Sequence, residues 1–280
     1  MQPDSVLRFR FETSESLCSS PLCLPAAHKN EARISCDDGW RDVVRLAINA
    51  RHLPSQPAQL SRISPKISPV LARLKPTLNP RPDPLDRAFF ARNPRRVARE
   101  LIGKVLVRNS EDLFLTARIV EVEAYLGEND PAAHAAAGNT ARTSVLFGPP
   151  GFAYVYFIYG NHYCLNVSCE QEGKAGSVLV RALEPLVGID EMARSRGMFL
   201  QGPRDLPKLT AGPGRLAQAF AITRQRDNGC DLTSSHSSLW IGEDKFRTRA
   251  IQISPRIGIR KAADQPLRYF LSGNPFVSGR

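Results

Sequence analysis

The chain has 280 residues, 42% of them hydrophobic and 23% charged, with a formal net charge of +11. This composition fits a folded protein with a sizeable core, and no apolar run is long enough to span a bilayer. The cationic excess suits a polyanionic partner, nucleic acid being the commonest, or else serves only to keep the protein in solution.

The first 83 residues differ from the rest of the chain. Eight prolines fall between Pro54 and Pro84, a density that no helix or central strand survives, so a disordered or polyproline-type linker is expected. A short isolated helix fits Asp42 to Ala50. From Pro84 onwards regular elements follow. Asn93-Pro94 is a helix start, with an N-cap oxygen and proline at the first helical position, and Gly103 stops the helix. Lys104–Arg108 reads as a strand. Thr116–Leu126 alternates, with Val120, Val122, Ala124 and Leu126 on a core face and Ile119, Glu121, Glu123 and Tyr125 on a face meant for water or a site. Phe152–Tyr159 and His162–Glu170 pair as a hairpin with its tip at Tyr159-Gly160-Asn161. A further strand at Ser177–Leu183 turns Leu179 and Arg181 to one side. Helices follow near Ile189–Arg196 and Gly214–Ile222, and strands return from Ile251 and over Leu267–Leu271. Strands and helices mix without βαβ regularity. The expected class is α+β in one domain over residues 84–280: a mixed, mainly antiparallel sheet with a protruding hairpin and surrounding helices, preceded by the tail at 1–83.

The six cysteines form no CxxC pair and match no histidine spacing, which argues against a zinc site or disulfide framework and for reduced, intracellular thiols. Glu123 carries the clearest chemistry, as a carboxylate able to activate water and to offset positive charge developing on a sugar; an exposed glutamate paired with a lysine is the bland alternative. Arg181 and Asn166, on polar faces of neighbouring strands, are placed to pair with it or orient it. Tyr125 and Tyr156 supply flat surfaces, and His134, in the loop after Asn129-Asp130-Pro131, supplies a polar edge. Tyr159 at a hairpin tip suits a wedge between stacked bases. Gly212-Pro213-Gly214 opens a helix beside Arg215, an arrangement suited to a phosphate but without the spacing of a nucleotide-hydrolysing loop. Arg224, Arg226 and Arg256 read as solvated surface charges.

Taken in order, the strings RIVEVEAYLGENDPAAH, ARTSVLFGPPG, YVYFIYGNHYCLNV, VLVRALEPL, GPGRLAQAFAI and RIGI resemble the alkyladenine (3-methylpurine) DNA glycosylase family, from about Pro84 to the end of the chain. The resemblance implies a monofunctional glycosylase that flips an alkylated or deaminated purine out of double-stranded DNA and hydrolyses its N-glycosidic bond. It implies Glu123 as the water-activating carboxylate, with Arg181 and the carbonyl of Ile257 positioning the water. Tyr125, His134 and Tyr156 become the base pocket, Asn166 and Leu179 its selective rim, and Tyr159 the intercalating residue. No cofactor, metal or Schiff-base lysine is implied. The protein is then expected to act as a monomer, inside the cell with the DNA and away from membranes. Two departures stand out. Asn161 replaces a methionine common beside the intercalating tyrosine, and Ala135–Asn139 lacks a basic residue frequent there. A silent binder of damaged DNA and a hydrolase of free nucleosides are the rival readings; Glu123 with Arg181 argues against the first, and the charge with Tyr159 against the second.

Overall fold

The computed structural model describes residues 81–279; the proline-rich segment up to residue 80 and the helix expected at Asp42–Ala50 lie outside the described residues. The elements run β1 (Asp83–Pro84), α1 (Arg87–Phe90), α2 (Pro94–Leu101), β2 (Val105–Ser110), β3 (Leu113–Tyr125), α3 (Ser144–Phe147), β4 (Ala153–Ile158), β5 (His162–Ser168), β6 (Ser177–Val187) and α4 (Ile189–Ser195). After them come α5 (Leu206–Thr210), α6 (Pro213–Ala219), α7 (Arg224–Asp227), β7 (Leu239–Glu243), β8 (Ile251–Ser254) and β9 (Arg268–Leu271). The class is α+β, as the sequence implies.

One antiparallel sheet organises the chain, in the order β1-β7-β2-β3-β6-β5-β4, with β9 pairing both β3 and β8. The long strand β3 is its axis. Along one edge it pairs first with β2 and then with β9, and along the other with β6. The start of α2 is built as expected: Asn93 accepts from Arg95 N–H at 3.0 Å, Pro94 occupies the first turn, and Val97 and Leu101 are fully buried. β7 has no counterpart in the sequence reading. Its Trp240 is buried and donates from Nε1 to Pro82 O at 3.1 Å, so chain just upstream of the expected boundary takes part in the fold.

The alternation expected for β3 is broken. Its pairing with β6 shifts register between Ile119 and Glu121 and again between Glu121 and Val122. Such bulges re-aim side chains. Ile119 therefore joins Val120, Val122 and Ala124 in the main core. The other face does not meet water: Glu121 and Glu123 are both 0% exposed. Carboxylates so placed are costly unless paired and hydrogen-bonded.

Candidate active site

The pairing register assembles the site as a row across four strands. Glu123 on β3 lies opposite Leu179 on β6, Leu179 opposite Asn166 on β5, and Asn166 opposite Tyr154 on β4. Side chains two residues along each strand point the same way, which adds Tyr125, Arg181, Cys164 and Tyr156. The sheet face so formed floors a cavity of about 380 Å³, within the size range of small-ligand pockets.

Glu123 is held from three directions. Its Oε1 accepts the Ile257 N–H at 2.7 Å and pairs with Arg181 Nη1 at 3.2 Å, and its Oε2 accepts from Tyr125 Oη at 3.0 Å. Burial nevertheless dominates and pushes its pKa above the ordinary glutamate value, against the pull of Arg181, the Ile257 amide and the Tyr125 hydroxyl. Glu123 is thus a stronger base than a surface carboxylate, already aimed by three donors. The lysine-paired surface glutamate is ruled out by its burial. The Ile257 N–H is a contact the resemblance did not include.

The walls are aromatic. Tyr154 and Tyr156 stack at 5.5 Å between ring centroids, and His134 meets Tyr156 edge-on at 4.5 Å. His134 occupies a short 3₁₀ turn (His134–Ala137) rather than an open loop, with Nδ1 3.0 Å from Tyr154 Oη. Burial, helped by the charge of Arg142, lowers its pKa below the usual 6.5, so the imidazole is neutral at pH 7. Burial keeps the phenols of Tyr125 and Tyr156 protonated, and in Tyr125 the neighbouring Glu123 adds to this. Asn166 is buried and donates from Nδ2 to Ser177 Oγ at 3.1 Å.

The loop that carries His134 is fastened by a residue assigned to the surface. Arg224 and Arg226 are exposed, as expected, but the Arg256 side chain is fully buried. It forms a two-pronged pair with Asp130 at 2.6 and 3.0 Å, donates to Ala124 O at 3.1 Å, and lies 4.7 Å from the centroid of the Tyr125 ring. Asp130 also accepts the N–H groups of Leu126 and Ala132. An arginine this deep is tolerated because its charge is matched and its two terminal nitrogens are hydrogen-bonded, and the matching carboxylate lies 126 residues away. Gly127, at φ +89°, lets the chain leave β3 here; a Cβ would fall 2.1 Å from Ala175 O.

At the mouth, Tyr159 is 79% exposed. Tyr159 (φ +54°) and Gly160 (φ +72°) both take positive φ, with Asn161 N–H reaching back to Ile158 O at 3.4 Å. Positive φ at both central residues is the type I′ pattern that matches the twist of paired strands. Across from the hairpin, Gly212, Gly214 and Arg215 line the same cavity. Gly214 packs against His162, where a Cβ would fall 2.8 Å from the ring. The Gly212 N–H donates to Arg181 O at 3.0 Å, so that amide is not offered to a phosphate.

Every site residue proposed from sequence borders this cavity or, as Glu123, contacts a residue that does. Sequence reasoning passed over Tyr154 and Cys164, although each lies two residues from a chosen residue on its own strand. It also missed Glu121, Asp130 and Arg256. Among the described residues, no three His, Cys, Asp or Glu side chains are grouped as a metal site, and no helix is long and apolar enough to cross a membrane.

A narrow aromatic slot above a basic carboxylate suits one class of protein, an enzyme that hydrolyses the bond between a flat base and its sugar. Comparison narrows the class. The family model described as methylpurine-DNA glycosylase matches residues 88–275. Similar proteins that carry the name 3-methyladenine DNA glycosylase include one from Koribacter versatilis, 58% identical over 197 residues that cover 70% of this chain and 94% of the relative. Another, from Rhodopseudomonas palustris (strain HaA2), is 48% identical with coverages of 70% and 90%. A third, from Methanoculleus marisnigri, is 45% identical with coverages of 70% and 99%. The chain belongs to the methylpurine-DNA glycosylase family, glycosylases that remove alkylated purines in base excision repair.

Proposed function

We propose that Glu123 is the general base of excision and that the cavity above it holds an alkylated or deaminated purine flipped out of duplex DNA. The observation that carries this reading is the buried carboxylate, paired with Arg181 and aimed by Tyr125 and Ile257 at the floor of the aromatic slot. Extrusion presents the sugar C1′ to the floor while the purine lies between rings. Glu123 takes a proton from water as the water oxygen bonds to C1′. The bond from C1′ to the base nitrogen breaks, and its electron pair leaves with the purine. A cationic alkylated purine departs as a neutral molecule, which lowers the demand for an acid. The carboxylate also offsets the positive charge that develops on the sugar.

The remaining residues take supporting roles in this reading. Tyr125, Tyr156 and neutral His134 hold the base, with the His134 ring oriented by Tyr154. Asn166 and Leu179 border the slot and select by shape. Tyr159 fills the gap left in the stack. Arg215, with Gly214, meets a backbone phosphate. All these groups come from one chain, which supports action as a monomer. We also assign the glycosylase domain to residues from about 82 onwards, slightly upstream of the boundary expected at 84, with the preceding segment as an extension.

Glu123→Gln tests the assignment. It keeps the shape and removes the base, so excision falls by at least about 10²-fold while lesion DNA still binds. The wild-type product is an intact strand with an abasic site, and borohydride traps no enzyme–DNA adduct, because no imine forms. A near-normal rate in Glu123→Gln, or a trapped adduct, refutes it.

A further inference from the structure

Glu121 lies two residues before Glu123, yet its carboxylate serves a different set of partners. It is fully buried and accepts from Arg181 Nε at 3.0 Å, Arg268 Nε at 2.7 Å, Ser278 N–H at 2.6 Å and Ser278 Oγ at 2.9 Å. The register shifts on either side of Glu121 aim it at the segment after β9, while Glu123 keeps its place beneath the slot. Arg268 in turn donates to Ser278 O at 2.9 Å and to Ser254 Oγ at 3.1 Å. Arg181 is consequently fixed along its whole guanidinium: Nε on Glu121, Nη2 on Ser278 Oγ at 3.4 Å, and Nη1 left for Glu123.

Two carboxylates and two arginines make this cluster neutral. As glue it is a poor bargain, since buried ion clusters often stabilise less than apolar packing of the same volume. Next to a catalytic base, the arrangement has a use. With its Nε and Nη2 tied, the arginine can present only Nη1 to Glu123. The positive charge of the two arginines is also half answered before it reaches the base.

We infer that Glu121, anchored by Arg268 and Ser278, is a positioning residue for excision: it sets the guanidinium of Arg181 and preserves the basicity of Glu123. This rests on Glu123 being the general base. The groups that face Glu123 are Tyr125 and Glu121 on β3, Arg181 on β6, Cys164 on β5, Arg268 on β9 and the Ile257 amide. Removing the charge of Glu121 leaves two arginines against one carboxylate, so Glu123 loses its proton at lower pH.

The test is single-turnover release of methylpurine from duplex DNA treated with a methylating agent, across pH, for Glu121→Gln, Ser278→Ala and Glu123→Gln. Glu121→Gln is expected to lower the plateau rate by about 10- to 100-fold, as small misplacements of catalytic groups do. Its affinity for lesion DNA should hold, and its acid limb should move to lower pH. Ser278→Ala, which removes only the hydroxyl and keeps the backbone N–H, should lower the rate several-fold with the fold intact. A Glu121→Gln protein with wild-type rate and limb, or with a lowered melting temperature and an unmoved limb, overturns the inference. If Glu121→Gln fails to fold, Ser278→Ala decides, and a wild-type rate there overturns it. An inactive Glu123→Gln beside a normal Glu121→Gln refutes this inference alone, whereas an active Glu123→Gln refutes the assignment of the base as well.

Discussion

Replacing Arg256 by methionine isolates the clamp beneath the slot, because methionine fills much of the stem volume and removes only the charge and donors. The change strands Asp130, buried at 2% exposure, with the N–H groups of Leu126 and Ala132 as its remaining donors. Breaking a buried pair by deleting one member costs about 3–5 kcal/mol. The two surviving amide bonds favour the lower end, about 3 kcal/mol. A domain of this size loses roughly 2–4 °C of melting temperature per kcal/mol, so thermal unfolding followed by circular dichroism should show a drop of about 6–12 °C. Burial raises the pKa of Asp130, but Arg256 and the two amides outweigh it and hold the group below its usual 3.8. A depressed pKa contributes stability above the unfolded value that is lost as pH falls through the folded one. The gap between wild type and Arg256→Met should therefore be full at pH 7 and narrow below about pH 4. Excision should fall too, since Tyr125 loses the guanidinium against its ring and Ile257 is the next residue along. A variant that melts within about 1 °C of wild type at pH 7 would show that the pair contributes nothing net, and the clamp argument would fail.

Glu123 has the opposite sign. Its raised pKa means that ionising it in the folded state costs stability as pH rises through the folded value, so Glu123→Gln should melt above wild type at pH 7, with the difference vanishing below about pH 4.3. For the same reason the acid limb of wild-type excision should lie above the ordinary carboxylate range. Tyr159→Ala should weaken binding to lesion duplexes and slow excision, yet change stability by less than about 0.5 kcal/mol, because the ring is exposed and alanine meets the same left-handed backbone; unfolding of the mutant would count against the wedge. Affinity should fall with salt at a log–log slope of about −0.9 per phosphate neutralised, near −3.5 for four contacts, and a flat response would separate the basic charge from DNA. A chain starting at Pro80 keeps Pro82 and β1 and should unfold cooperatively and excise at the wild-type rate; loss of either would mean that upstream residues belong to the domain.

The parts of the site legible in the sequence are those set by short-range rules. Alternation on β3, β5 and β6 brought Glu123, Asn166, Leu179 and Arg181 to one face, and the Gly160 turn marked the hairpin tip. The α2 cap was readable for the same reason, since Asn93, Pro94 and Gly103 act within one helix length. Long-range partners left no such trace. Arg256 read as a surface charge because its carboxylate is far away in sequence, and Glu121 read as half of a polar face because Arg268 and Ser278 lie beyond any local window. The bulges on β3 show only in its pairing with β6, a strand more than 50 residues away in the chain, so no pattern within β3 announces them. β7 was missed because its short run, Leu239–Glu243, is buried on both faces and lacks alternation.

The row from Glu123 through Leu179 and Asn166 to Tyr154 has a consequence for how this chain can change over time. Each of those four side chains comes from a different strand, and neighbours are held opposite one another only by backbone pairing. Inserting or deleting one residue in β3 ahead of Glu123 would exchange the two faces downstream. Carboxylate and valine would trade places, and the slot would lose its floor even if the sheet re-formed. Length changes in the strands are therefore closed to drift, whereas loops such as Met198–Gly202, on no strand of the row, can vary in length without touching the chemistry. Insertions and deletions accumulated among descendants of this gene should map to those loops, with the strand lengths between Leu113 and Val187 held constant.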